Sequence, residues 1–116
     1  MLDLNNLYWE EEQNIRLIEG TAKKTWGNNV EFGELKVLDS PYPEFELIMR
    51  LYKLFDIKLT YDRSTLSIGV PTEEGYLVLS RAAKEPVFRG FDGMKAENLS
   101  HNFEVLDRLI QTYNSN

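Results

Sequence analysis

Two segments with helical spacing flank a central stretch in which apolar and polar residues alternate, a pattern that predicts an α+β domain. The sheet is expected to be antiparallel, with four to five strands and three helices, in the order helix, strand, helix, strands, helix. Three observations carry this expectation. Ile15, Ile18, Ala22 and Trp26 recur at three- and four-residue intervals, the period falls to two at Asp56-Ile57, and helical spacing returns at Leu99, Phe103, Leu106, Ile110 and Tyr113. With 116 residues, 42% of them hydrophobic, and no internal repeat or linker-like stretch, residues 1–116 are expected to form a single globular domain.

The first helix runs from about Leu7 to Trp26, with Glu10, Glu11 and Glu12 near its start and Lys23 and Lys24 in its last turn, as the helix dipole favours. Gly27-Asn28-Asn29 supplies the stop, while Gly20 in the interior costs about 1 kcal/mol relative to alanine. Val30, Phe32, Leu35 and Val37 predict a strand over 30–38, and their change of phase across Gly33-Glu34 predicts a bulge there. Asp39-Ser40-Pro41-Tyr42-Pro43 breaks the chain. A second helix is expected over about 43–55, with Pro43 in its first turn and Phe45, Ile48, Leu51, Tyr52 and Phe55 as its stripe. Strands over 57–62 and 65–71 then form a hairpin through Arg63-Ser64, and Pro71-Thr72-Glu73-Glu74-Gly75 turns into further strands over 76–82 and 87–89. The glycine-bearing stretch from Gly90 to Ala96 reads as a loop. The last helix is expected to be capped by Asn98 or Ser100, with Asn114-Ser115-Asn116 as a fraying tail.

Composition excludes several classes of function. With no cysteine the chain is not a disulfide scaffold, a zinc ribbon, an iron–sulfur protein or a cysteine-nucleophile enzyme. A net charge of -6 repels a phosphate backbone, so nucleic acid is not an expected partner. The apolar runs are far shorter than the roughly 20 residues of a membrane span, and Met1-Leu2-Asp3-Leu4-Asn5-Asn6 lacks the features of a secretory signal; a cytoplasmic protein is expected. The acidity is uneven: residues 1–62 carry twelve acids and seven bases, whereas 63–116 carry seven and six.

No constellation for chemistry stands out. His101 is the one histidine and lies at an expected helix start without a nucleophile elbow, so a capping or surface position is the simpler reading. One histidine and no Asp-x-Asp-x-Asp-Gly loop give no metal site, and Gly90 and Gly93 lack the Lys-Ser/Thr pair of a phosphate loop. Neither an enzyme activity nor a cofactor is therefore expected. Most aromatic residues fall on the apolar stripes and belong to the core; Tyr8, Trp9 and Tyr42 do not, and are candidate contact residues. The matching candidate charges are Glu10, Glu11 and Glu12 at a helix start and Glu73 and Glu74 in a hairpin turn.

Asp39-Ser40-Pro41 leading through the expected apolar helix, then Leu66-Ser67-Ile68-Gly69-Val70-Pro71, a short acidic turn, Gly75-Tyr76-Leu77-Val78-Leu79-Ser80 and Arg89-Gly90-Phe91 form a sequence of motifs over about residues 37–93. It resembles the immunity proteins of bacterial polymorphic toxin systems, in particular the deaminase-associated family, in which a helix precedes a strand ending in Ile-Gly-Val. The resemblance implies a non-enzymatic cytosolic inhibitor that binds a toxin domain and covers its active or substrate-binding surface. Joined to the acidic balance, it makes a basic toxin domain the expected partner. The alternative is a small structural or accessory module, or an oligomer subunit, without catalytic activity.

Overall fold

The computed structural model describes residues 9–37, 44–62 and 65–114. They form helix α1 (Trp9–Trp26), strands β1 (Val30–Val37), β2 (Glu44–Leu51), β3 (Phe55–Asp62), β4 (Thr65–Thr72) and β5 (Gly75–Val78), then helices α2 (Leu79–Ala83) and α3 (Ala96–Asn114). The five strands lie in the order β1-β2-β3-β4-β5, each antiparallel to its neighbour, so the expected α+β class with an antiparallel sheet is the one observed.

The core forms where the inward residues of each element meet. Ile15, Ile18, Ala22 and Trp26 of α1 and Leu99, Phe103, Leu106 and Ile110 of α3 are buried together with the alternate residues of β2, β3 and β4. Trp26 packs on Phe103 with ring centroids 5.0 Å apart, and Phe45 stacks on Tyr61 at 5.1 Å. The opposite face of the sheet carries Glu46 and Arg50 of β2 and Asp56, Lys58 and Asp62 of β3, and remains on the outside. Gly27 ends α1 at φ +57°, in the left-handed conformation that a helix-terminating glycine supplies without strain. The β1–β2 register shifts between Phe32 and Leu35, which places the bulge at Gly33-Glu34.

Five expectations are corrected, the simplest being that Gly90–Met94, expected as part of a loop, forms a short 3-10 helix. Residues 44–51 form a central strand, not a helix: Phe45, Leu47, Met49 and Leu51 all point into the core, and Ile48, assigned to the helical stripe, faces the other side. The strand expected over 76–82 leaves the sheet after Val78, where the chain turns into α2 and buries Leu79. Val87-Phe88-Arg89 is not a strand. The buried Asn102 side chain accepts from Phe88 N–H and donates to Phe88 C=O, both at 3.0 Å, in place of a neighbouring strand. Finally, α3 begins at Ala96, so Asn98 and Ser100 lie within the helix and do not cap it. Among the described residues the α-helices thus number three, as expected, but the second is α2 and not the segment 43–55.

Candidate functional site

The β2–β3 connection is short, and its geometry is unusual for its residues. Tyr52 and Lys53 both have positive φ, at 55° and 58°, while Leu54 N–H donates to Leu51 C=O at 3.0 Å. Two consecutive positive φ values give the turn the twist that a tight hairpin requires, a role for which Asn-Gly is the common choice. Tyr52 is held from three sides. Its N–H donates to Asn29 C=O at 2.7 Å, its hydroxyl donates to Asp107 Oδ1 at 2.6 Å, and Gln111 Nε2 donates to that hydroxyl at 3.0 Å. Asp107 Oδ1 also accepts from Trp26 Nε1 at 2.9 Å, so one carboxylate of α3 ties the end of α1 to the hairpin. Burial, and then the neighbouring Asp107 carboxylate, push the Tyr52 phenol above its ordinary pKa, keeping the proton in place.

A loop fastened in this way presents Leu54 to solvent at 65% exposure. The β4–β5 turn faces it across an open groove of about 740 Å³ lined by Leu54, Phe55, Pro71, Leu77 and Tyr113, with Thr72, Glu73 and Glu74 on its rim. Phe55 and Tyr113 meet at 6.1 Å between ring centroids. The rim is also fixed. Thr72 Oγ1 donates to Gly75 C=O at 2.6 Å and accepts from Glu74 N–H at 3.2 Å, and Gly75 adopts φ +103°. This arrangement provides an exposed apolar floor beside two solvated carboxylates on a pinned turn. It suits an apolar side chain flanked by cations.

Of the contact residues expected from sequence, Glu73 and Glu74 therefore stand together at this groove. Glu12 sits on α1, where Arg16 donates to its Oε1 at 2.9 Å from Nη2, so its charge is compensated locally. Tyr8 and Tyr42 lie outside the described residues, as do the side chains of Trp9, Glu10 and Glu11, whose backbone opens α1. Leu54, Phe55, Leu77 and Tyr113 were not among the expected contacts. Their spacing in sequence is that of core residues, and only the closeness of two hairpin ends and a helix C-terminus makes a groove of them.

The outer sheet face gathers much of the acidity of the first half of the chain. Glu31 pairs across the sheet with Arg50 and Arg50 with Asp56, while Lys36 pairs with Glu46 and Glu44 with Asp62. Arg50 donates to Asp56 at 2.7 and 3.2 Å, which holds the Asp56 carboxyl below the usual carboxylate range. Lys58 lies 3.7 Å from Glu46 and 5.7 Å from the Tyr76 ring, and Tyr76 donates its hydroxyl to Asp56 C=O. His101 is exposed on α3 and meets Phe88 edge-on at 5.4 Å. Gly93 serves packing: a Cβ there would stand 3.1 Å from the Phe88 carbonyl oxygen. Among the described residues no helix is long and apolar enough to cross a membrane. The chain matches no protein-family model, and no curated protein or solved structure is significantly similar to it.

Proposed function

We propose that this chain is a non-enzymatic immunity protein that acts in the cytosol, binding a basic toxin domain and covering its active or substrate-binding surface. The observation that carries the reading is the groove under Leu54, whose apolar floor and pinned Glu73-Glu74 rim form a site for a protruding apolar residue flanked by lysine or arginine. In such an interface the buried anchor governs dissociation, and the carboxylates on the rim mainly raise the association rate. The acidic surplus on the outer sheet face adds a field of the same sign, which draws a basic partner toward this molecule. The motifs from Leu66 to Ser80 that resemble immunity proteins include the turn that bears the two glutamates, while the helix that the resemblance implies before them is replaced here by strand β2.

Because the resemblance implies a chain made beside a toxin gene, the direct experiment is co-expression with the C-terminal domain encoded by that neighbouring gene, followed by co-purification and a growth assay. Complex formation and protection of the cells support the proposal. A toxic domain that neither binds this chain nor is neutralised by it removes the immunity reading and leaves the accessory-module alternative.

A further inference from the structure

Strand β4 is eight residues long, but its two edges are not equally occupied. β3 pairs with it from Thr65 to Gly69, whereas β5 pairs only from Gly69 to Thr72. Beyond Val78 the chain turns into α2, which packs on β4 together with the 3-10 turn Gly90–Met94, so among the described residues the stretch Thr65–Ile68 has a strand on one side and none on the other. Among the described residues, no backbone hydrogen bond joins this stretch to Val87-Phe88-Arg89, because the polar groups of Phe88 are taken by Asn102. A cleft of about 320 Å³ lies between this edge and residues 78–81, where the chain leaves the sheet. Its walls include Thr65–Ile68, Leu79, Val87, and the two arginines Arg81 and Arg89.

We propose that this cleft is a strand-addition site for a short, extended, acidic segment of a partner protein. An unpaired strand edge offers alternating N–H and C=O groups to an incoming chain, which supplies affinity without regard to side chains. Side chains of an added strand alternate, so one set meets the apolar wall of Val87 and Phe88 while the other reaches polar surface. The charge of the cleft selects the occupant. Both guanidiniums are exposed, and among the described residues neither has a carboxylate partner; Arg89 bonds only the Ser80 hydroxyl, at 3.2 Å. In a chain of net charge -6, two uncompensated arginines at one open edge favour carboxylate side chains. The volume is at the small end of ligand pockets and limits the ordered segment to a few residues. The site lies at the opposite end of β4 from the Glu73-Glu74 groove and does not rest on the immunity reading.

The test is a titration of the isotope-labelled full chain with an end-blocked peptide of sequence Val-Glu-Val-Asp-Val, followed by amide chemical shifts. Shifts confined to Thr65–Ile68, Arg81 and Arg89 are expected. Binding should weaken at least tenfold when lysines replace the peptide's acids, when its alternate amides are N-methylated, and when the chain carries Arg81→Glu with Arg89→Glu. The peptide changes are made against the unaltered chain, so they decide the matter even if the double variant is poorly folded. No binding, equal binding of the lysine or N-methylated peptide, or shifts centred on the Leu54 groove would each overturn the proposal.

Discussion

Asp107 serves two donors with one oxygen, and both come from other elements: Trp26 at the end of α1 and Tyr52 in the β2–β3 turn. Removing the carboxylate leaves the buried indole N–H and the half-buried phenol short of an acceptor. Asp107→Ala is therefore expected to cost about 2–3 kcal/mol, and Asp107→Asn, which keeps an acceptor, roughly half as much. Urea denaturation with an unchanged slope would measure this; a loss no larger than that of an exposed substitution would refute it. Tyr52 adds a pH dependence. Its folded pKa is raised above 10.0, so the unfolded chain loses the phenolic proton first. The stabilisation is complete below the unfolded value and drains away as pH rises through the folded one. Tyr52→Phe should flatten the alkaline fall in stability, and an unchanged alkaline limb would count against the Asp107 contact. Asp56 has the opposite sign, its pKa being lowered by Arg50, so its contribution is present above the ordinary carboxylate range and lost as pH falls through the depressed value. Being exposed, that pair is screened and contributes little.

At β2 a strand and a helix make different demands on adjacent residues, which makes the assignment testable. The strand buries Leu47 completely and turns Ile48 outward, whereas a helical stripe would require the reverse. Leu47→Asn should cost about 3 kcal/mol or more, and Ile48→Thr less than about 1 kcal/mol. Equal losses from thermal melts would contradict the register. Ile68→Asp and Leu79→Asp should each abolish folding, since both side chains are in the core even though Leu79 belongs to α2 and not to a strand.

The physical cause of the misread element lies in its turn. Phe45-Glu46-Leu47-Ile48-Met49-Arg50-Leu51 is an apolar run short enough to satisfy either period, so the boundary signal decides between them. Here the boundary is Tyr52-Lys53, two residues that adopt positive φ without announcing it as Asn-Gly would. Without such a signal the apolar stripe continues from Phe45 through the turn to Phe55 and predicts one helix. By contrast α1, the bulge at Gly33-Glu34 and the β4–β5 hairpin were legible: Gly27 and Gly75 mark their turns with positive φ, and the change of apolar phase marks the bulge. Lys53→Gly tests this cause directly. It relieves a left-handed residue at some cost in unfolded-chain entropy, and a net gain of about 0.5 kcal/mol is expected as a higher melting temperature. A lower melting temperature would show that the Lys53 conformation is not strained.

Across the whole molecule, the separation of one packed sheet face from one open face also separates apolar floor from charge, and the groove is where the two meet. Half of the candidate contact was therefore legible: Glu73 and Glu74 stand in a turn that neither fold nor core requires them to occupy. The apolar half was not, since Leu54 is 54 places into the chain and Tyr113 near its end, and no local pattern links them. If the groove is the partner surface, its two halves should act on different rate constants. Glu73→Lys with Glu74→Lys should slow association with the toxin domain several-fold at low salt, with the difference shrinking as ionic strength rises, because exposed charges act mainly through the long-range field. Leu54→Ala should leave association nearly unchanged and speed dissociation at least tenfold, as loss of a buried anchor does. Leu54 is exposed in the free chain and the two glutamates are solvated, so neither change should move the melting temperature by more than a degree or two. Surface-bound kinetics at two salt concentrations, paired with thermal melts, separate the effects. Unaltered rates in both variants, with the complex still formed, would place the contact elsewhere on the molecule and exclude the groove as the site of toxin binding.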